Sequence, residues 1–233
     1  MIEIKSIASG SAGNCYMIDD GFTPLLLEAG VTINEIRKDT EFKLNTIAGV
    51  LLSHEHQDHS KAVKDVLKAG IDTYASAGTV EAMNLSHHRL KTVETMKRFT
   101  IGTWNITAFD VQHDAAEPIG FLLENEAGDK LLFITDSYFV KYKFSGLTHI
   151  MLECNYSKEI LDQNIESGRV HPAMKKRLIQ SHFSLENVKD FLKANDLSKV
   201  EEIHLLHLSD TNSDEELFKE EIQKLTGKVI YIA

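Results

Sequence analysis

Three histidines and one aspartate lie within a single short segment at residues 53–60, which reads SHEHQDHS. The segment follows an apolar run of strand length and precedes a helical pattern, so we expect a loop at the carboxyl end of a buried strand. His54 and His56 can direct their ring nitrogens to one metal ion, and Asp58 and His59 can turn toward a second. A polar, hydrogen-bonded loop is the alternative, but these side chains would repel one another when protonated and have no structural need of each other.

Short apolar runs separated by turn residues alternate with helical patterns along the rest of the chain. We predict strands at residues 2–8, 15–18, 24–28, 47–52, 72–75, 104–111, 119–123, 130–135, 148–153, 200–206 and 229–232. We predict helices at residues 60–70, 79–85, 155–163, 172–180, 184–195 and 213–225. Two mixed β-sheets packed face to face with helices outside would bury the apolar faces, so the predicted fold class is α/β, an αββα sandwich. The length fits one domain over residues 1–233.

The charge balance restricts what the protein can bind. The chain has 35 acidic and 25 basic residues, which gives a net charge of −10. The surface as a whole should therefore repel polyanions, and a nucleic-acid substrate would need a local basic patch. No apolar run reaches the length of a transmembrane helix, so we expect no membrane partner. Two cysteines, Cys15 and Cys154, suit a reducing compartment, and we expect a cytoplasmic protein.

The segment at residues 53–60 matches the HxHxDH signature of the metallo-β-lactamase superfamily, and the order of the later motifs is similar over nearly the whole chain. The resemblance implies the metallo-β-lactamase fold and a centre with two divalent transition-metal ions, Zn or Mn, with Fe as a third candidate. It implies that His113 completes the first metal site, that Asp136 bridges both ions and that His207 completes the second. The implied ligands are His54, His56, Asp58, His59, His113, Asp136 and His207.

Each of the later ligands also has a plainer interpretation. Taken alone, His113 is typical of a hydrogen-bonded histidine at the end of a strand, and Asp136 is typical of a turn residue. His204 competes with His207 for the last position. In a strand, two residues three apart point to opposite faces, and His207 lies at the strand end, where ligands are expected, so we prefer His207.

Several short motifs resemble the YycJ/WalJ branch of the superfamily, whose members are exonuclease-like. They lie at residues 9–15, 152–155 and 182–184, and at 207–209 with Asn212. The Gly-rich segment 9–14 lacks the Lys-Ser/Thr ending of a phosphate loop, and the resemblance places it beside the metals. Glu28 stands where the family usually has aspartate, and Tyr156 where the branch often has histidine. The stretch of sequence between Asp136 and His207 is too short to contain the large insertion of the RNA-processing nucleases.

One positive cluster stands out in this acidic chain. It consists of Arg169, His171, Lys175, Lys176 and Arg177, and it lies just before His182. His182 precedes a predicted helix N-terminus, where backbone N–H groups favour anions, so the cluster can form a phosphate-binding rim. A solvated helix face is an equally good interpretation of the lysines. We expect substrate contacts from His182, Asn155, Lys176 and Arg177. We assign His87, His88, His149 and His171 to the surface or rim, and Cys154 to the core.

The implied ligand set predicts a hydrolase. Water held between two metal ions becomes acidic, and Asp58 can accept its proton while His182 contacts a phosphate oxygen or the leaving group. We predict a metal-dependent phosphodiesterase, specifically a nuclease acting on DNA or RNA. A phosphodiesterase for small or cyclic nucleotides is the first alternative, and the negative net charge favours it. A carbon-ester or thioester hydrolase, of the lactonase or glyoxalase-II type, is the second. A non-catalytic metal-binding protein is disfavoured by the complete ligand set.

Overall fold

The computed structural model describes residues 2–233, which divide into two compact units. The first unit comprises residues 2–110 and 115–129, and the second comprises residues 111–114 and 130–233. The strands belong to two mixed sheets and are accompanied by helices, which confirms the predicted α/β class. The single domain over residues 1–233 stays a prediction.

Six strands of the first unit form one sheet in chain order. They are β1 (Glu3–Ala8), β2 (Cys15–Asp19), β3 (Leu25–Leu27), β4 (Gly49–Leu51), β5 (Thr73–Ala75) and β6 (Leu90–Thr92). The first three strands run antiparallel, and β3 to β6 run parallel. Leu27 pairs with Leu51, so β3 and β4 end side by side. This register places the residues that follow β3 against the signature loop that follows β4.

The first unit also contains three strands that pair antiparallel, and it contains four helices. The strands are β7 (Arg98–Ile101), β8 (Trp104–Asp110) and β9 (Ile119–Glu124), and the helices are α1 (Ile33–Asp39), α2 (Gln57–Ser60), α3 (Val63–Lys68) and α4 (Ala77–Ala82). The helix predicted over residues 60–70 was wrong in its bounds, because two short helices occupy this region and the first contains Asp58 and His59. Helix α4 begins earlier than predicted because Ser76 caps it. Helix α1 was missed, although Thr32 and Glu35 form a capping box at its start.

The second unit is built on four parallel strands with four helices. The strands are β10 (Lys130–Ile134), β11 (His149–Glu153), β12 (Glu202–Leu206) and β13 (Val229–Ile232), in the spatial order β13-β12-β11-β10. The helices are α5 (Lys158–Glu166), α6 (Pro172–Ser181), α7 (Leu185–Ala194) and α8 (Glu215–Thr226). Ile134 pairs with Leu152, and Glu153 pairs with Leu206. The carboxyl ends of three strands therefore meet at one edge, where ligands of parallel sheets bind.

Two predictions in the second unit need correction. His149 was assigned to the surface, but its side chain is 2% exposed because it opens the central strand β11, and its Nδ1 lies 2.8 Å from Thr148 Oγ1. The helix expected from Asn155 begins at Lys158, because Ser157 provides the N-cap. Residues 135–148, which connect β10 to β11, contain no helix.

Candidate metal centre

The signature loop in the first unit brings its three histidines together. His54 Nε2 lies 3.1 Å from His56 Nδ1, and the His54 and His59 rings are 4.2 Å apart between centroids. His54 Nδ1 lies 2.8 Å from Ser53 Oγ, so Nε2 is the nitrogen that faces His56. Asp58 Oδ2 lies 3.4 Å from His59 Nε2, and its side chain is 26% exposed. The local geometry thus gives the loop imidazole and carboxylate donors suited to transition metals.

Glu28 braces this loop from the end of β3. Its side chain is fully buried; Oε1 accepts a hydrogen bond from Ser53 N–H at 3.1 Å, and Oε2 lies 3.5 Å from His59 Nδ1. Burial raises the pKa of this carboxyl. Glu28 also has φ +66°, a left-handed conformation that non-glycine residues seldom adopt. The glutamate, one methylene longer than the aspartate usual in the family, therefore hydrogen-bonds the loop at Ser53 and brings its second oxygen near His59.

The Gly-rich segment 9–14 and Gly30 hold the loop from its other side. Asn14 N–H donates to the Asp58 carbonyl at 2.7 Å, and Asn14 Nδ2 lies 3.2 Å from His59 Nε2. A Cβ atom on Gly30 would lie 1.7 Å from the Asp58 carbonyl oxygen, so no other residue fits there. The segment therefore holds the ligand loop through contacts with Asp58 and His59.

The contacts of Glu28 lead to a first prediction. Glu28→Ala leaves the buried Ser53 N–H without an acceptor, so we expect unfolding in urea to become easier by about 1–3 kcal/mol. Loss of the brace should also weaken metal binding by about 10- to 100-fold in competition with a chromogenic chelator.

Glu28→Gln is the matched control. The amide oxygen can still accept from Ser53, but the amide nitrogen would donate to His59 Nδ1 and place the ring proton on Nε2. We therefore expect Glu28→Gln to keep most of the stability and still lose metal affinity. Wild-type affinity in this variant would limit Glu28 to a packing role.

The second unit contains a separate cluster of buried acids and histidines at the strand edge. Ligand atoms of Asp136, Glu153, His182 and His207 all lie within 4.8 Å of one another. Asp136 Oδ1 lies 2.6 Å from His207 Nδ1, and Glu153 Oε1 lies 2.6 Å from His182 Nδ1. These residues follow β10, end β11, follow α6 and follow β12, respectively. The cluster can hold a divalent metal ion through carboxylate and imidazole donors.

Two members of the cluster have strained backbones. Asp136 has φ +20° and His207 has φ +52°, both in the left-handed half of conformational space. Thr135 Oγ1 donates to Asp136 Oδ1 at 2.9 Å, and Asn155 Nδ2 donates to the His207 carbonyl at 2.8 Å. Such strain persists where surrounding contacts over-determine it, which is common at functional sites.

The electrostatics of the cluster favour a cation. Burial alone lowers the pKa of His207, but Asp136 and Glu153 raise it to about 10. Burial also opposes a charge on His182, and the Glu153 carboxylate raises its pKa above the ordinary value. Two buried carboxylates need compensating positive charge, which protons on these rings supply. A bound metal ion would supply the same charge and release those protons.

His113 lies beside this cluster. Its Nδ1–H donates to the Ser181 carbonyl at 2.8 Å, so Nε2 is the nitrogen with a lone pair, and Nε2 lies 3.7 Å from Asp136 Oδ2. Burial lowers the pKa of His113, which favours the neutral ring that a metal ligand requires. The second unit therefore brings together the three predicted ligands His113, Asp136 and His207.

The predicted substrate residues occupy different environments. His182 has an 18% exposed side chain and belongs to the acid–histidine cluster, although the sequence had suggested a position outside the metal motifs. Asn155 is buried and contacts His207. Lys176 and Arg177 are exposed on α6, and Arg177 Nε lies 3.9 Å from Asp114 Oδ2. Their substrate contacts stay predictions.

Glu153 was not predicted as a site residue. It is fully buried, and Oε2 accepts hydrogen bonds from Ser137 N–H and Phe183 N–H at 3.0 Å each. A signal was present in the sequence, because Glu153 directly follows the apolar run 150–152, just as Asp136 comes after the apolar end of β10. His204 was the alternative to His207 as the last ligand. Its Nε2 lies 3.1 Å from Glu202 Oε1, and its ring stacks on Tyr231.

Comparison with known proteins gives a consistent result. Residues 23–212 match the family model described as "Beta-lactamase superfamily domain". The chain is 28% identical to exodeoxyribonuclease YycJ of Bacillus anthracis over 96% of this chain and 89% of that protein. It is also 28% identical to exodeoxyribonuclease WalJ of Streptococcus pneumoniae, over 91% of this chain and 83% of that protein. The structure of the metallo-β-lactamase fold protein YhfI from Bacillus subtilis aligns with a TM-score of 0.74 at 15% identity, covering 100% of this chain and 96% of that one.

No helix among residues 2–233 is both long enough and apolar enough to span a membrane.

Proposed function

Because the chain belongs to the β-lactamase superfamily, we propose that it is a metal-dependent phosphodiesterase that degrades DNA from an end. The family match over residues 23–212 confirms the resemblance drawn from the HxHxDH signature. The observation that carries the proposal is the similarity along almost the whole chain to relatives named exodeoxyribonucleases. The buried acids and histidines of both units supply the chemistry that such an activity needs.

The proposal includes two divalent ions, Zn or Mn. Their ligands are His54, His56, Asp58, His59, His113, Asp136 and His207. The support is chemical: imidazole and carboxylate donors in buried surroundings suit these metals. When bound, such ions acidify water and neutralise the charge of the attacked phosphate.

Two side chains are proposed to move protons. Asp58 is partly exposed, so its carboxylate oxygen can accept the proton of the attacking water. His182 is held through Nδ1 by Glu153, which leaves Nε2 to donate a hydrogen bond or a proton to the leaving oxygen. Lys176 and Arg177 would bind phosphates of the DNA strand beyond the scissile bond.

The experiment is a nuclease assay on end-labelled single-stranded DNA. We expect purified protein with Mn²⁺ or Zn²⁺ to shorten the oligonucleotide progressively, and a chelator to stop the reaction. The same preparation should hydrolyse bis-p-nitrophenyl phosphate and leave a thioester intact. Turnover of the thioester without turnover of either phosphodiester would overturn the proposal.

The net charge of −10 favours a phosphodiesterase for small nucleotides as the second candidate. Salt separates the two candidates, because polymer binding weakens steeply as salt displaces phosphate contacts. We expect DNA degradation to slow strongly between 50 and 200 mM salt, conditions over which mononucleotide turnover would change little.

A second prediction concerns Asp58. Asp58→Asn keeps the shape of the side chain and removes a charge and a proton acceptor, so turnover should fall by at least about 10²-fold. The rate is to be measured at matched metal content, determined by elemental analysis. A variant that retains its metals and turns over at the wild-type rate would exclude Asp58 as the proton acceptor.

The proposal also covers organisation and location. We infer that the two units act as one domain, because the family match includes residues of both. A cytoplasmic location is supported by Cys15 and Cys154, which are both free and buried.

A further inference from the structure

An extended segment of the second unit alternates aromatic residues with lysines. Residues 137–144, which read SYFVKYKF, follow directly after Asp136 and contain no acidic side chain. Lys141 and Lys143 are exposed, and Phe139 is 55% exposed. In a chain with a net charge of −10, this is a local positive surface with aromatic side chains.

The segment forms one wall of a groove of about 400 Å³. Helix α7 with Asn195 at its end, together with Phe183, forms the rest of the lining, which includes Phe139, Lys143, Phe183, Asn187, Phe191 and the acidic Asp190. This volume lies in the range of sites that bind small organic groups, and the lining combines apolar rings with a few polar groups.

The groove is fixed to the acid–histidine cluster by Glu153. One carboxylate oxygen accepts hydrogen bonds from Ser137 N–H and Phe183 N–H, and the other faces His182. Ser137 follows Asp136 in the chain, and Phe183 follows His182. One wall of the groove therefore begins beside Asp136, a proposed metal ligand, and the other begins beside His182, which is proposed to act at the leaving oxygen.

Hydrogen bonds to α7 hold the segment in place although it has no regular secondary structure. Phe144 N–H donates to Asn195 Oδ1 at 2.6 Å, and Asn187 Nδ2 donates to the Tyr138 carbonyl at 3.3 Å. An aromatic wall that is ordered before binding loses less entropy when a ligand stacks on it.

We propose that this groove binds the unpaired bases of a single-stranded DNA end, which rests on the proposed nuclease function. Phe139 offers a ring face to the bases, and Lys143 contacts the phosphates. Lys141 Nζ lies over the Tyr142 ring, 5.0 Å from its centroid, so that face of Tyr142 is already covered. Unpaired bases expose faces that stack on aromatic side chains, whereas bases in a duplex do not. The lysines argue against a protein partner, because lysine is depleted in protein–protein interfaces.

The test measures binding of a fluorescent single-stranded oligodeoxynucleotide by anisotropy. The Asp58→Asn protein with metal serves as the background, so that the probe is not degraded. Phe139→Ala should weaken binding by about 5- to 150-fold, the range found when one stacking residue is removed. Phe22→Ala is the matched control, since Phe22 is 83% exposed and lies outside the groove.

A second variant tests the phosphate contacts. Lys143→Gln should make the log–log dependence of affinity on salt shallower by about 0.7, the value for one phosphate contact on a single strand. Lys199→Gln, at an exposed lysine outside the groove, should leave the slope unchanged. Thermal melting of each variant checks that the fold is intact.

The proposal would be overturned if Phe139→Ala bound single-stranded DNA as tightly as the control, or if a duplex of equal length bound better than the single strand. Tighter binding of an RNA of the same sequence would overturn the assignment to DNA. Hydrolysis of bis-p-nitrophenyl phosphate by the unaltered protein tests the nuclease proposal separately. A protein that hydrolyses this substrate and does not bind single strands would refute the groove and leave the proposed function standing.

Discussion

Replacing Asp136 by alanine is expected to remove most of the bound metal and to lower phosphodiester turnover by at least about 10²–10³-fold. Asp136 is buried, its Oδ1 lies 2.6 Å from His207, and its Oδ2 lies 3.7 Å from His113. The same side chain is proposed to serve both ions, so its loss affects both sites. Elemental analysis should find about two transition-metal ions per wild-type chain and well under one in the variant.

Asp136→Asn is the control for backbone strain. Asparagine tolerates the left-handed region better than alanine, so it keeps the φ of +20° at lower cost while losing the negative charge. We expect both variants to lose metal, and the asparagine variant to melt closer to wild type. Full metal content in Asp136→Ala would remove this residue from the proposed ligand set.

The signature loop was readable from the sequence because its chemistry is local. His54 and His56 lie in a short loop, and Asp58 and His59 lie in the helix α2 that directly follows it, so all four occupy one continuous stretch. Most of the buried strands were also readable, because buried parallel strands are continuous apolar runs. Strands β6 and β7 were missed, because both are short and largely exposed or half-buried. The helix bounds around the loop were less readable, since the break between α2 and α3 depends on the contact of Ala62 N–H with the Ala29 carbonyl.

The second cluster needed the register of a sheet that the sequence does not state. Asp136, Glu153 and His207 become neighbours because β10, β11 and β12 end at the same edge. The family resemblance identified Asp136 and His207, whereas Glu153 lies in the motif at residues 152–155 and was not predicted to have a role in the site. A single carboxylate at a strand end is typical of a turn as well as of a site, and only its contacts with His182, Ser137 and Phe183 separate the two.

The groove was beyond sequence reasoning for a similar reason. The alternation of aromatic residues and lysines in residues 137–144 is visible in the chain, but half of the lining comes from α7, far along the sequence. The connection between β10 and β11 also lacks the helix that usually joins parallel strands. The open face of α7 is therefore covered by an extended segment, which no local propensity predicts.

His182 gives the last prediction, because it separates a phosphate-handling role from a structural one. If its Nε2 contacts the scissile phosphate or the leaving oxygen, His182→Ala should slow cleavage of an end-labelled oligonucleotide by about 10²–10⁴-fold. If His182 serves only as the partner of the buried Glu153 carboxylate, its loss should lower stability and leave turnover nearly unchanged. We expect the first result, since Nδ1 is held by Glu153 at 2.6 Å and the side chain keeps an exposed part.

His182→Gln makes the distinction sharper. His182→Ala leaves the buried Glu153 carboxylate without its partner and should therefore destabilise the protein. The glutamine amide can still donate a hydrogen bond to that carboxylate, so His182→Gln should be less destabilising. It cannot donate a proton to a leaving group, so the rate should stay low at wild-type metal content. Rate, melting temperature and metal content are to be measured on one preparation of each variant. A glutamine variant with wild-type turnover would show that His182 acts through Glu153 alone, and would remove the main structural reason for assigning it a role at the phosphate.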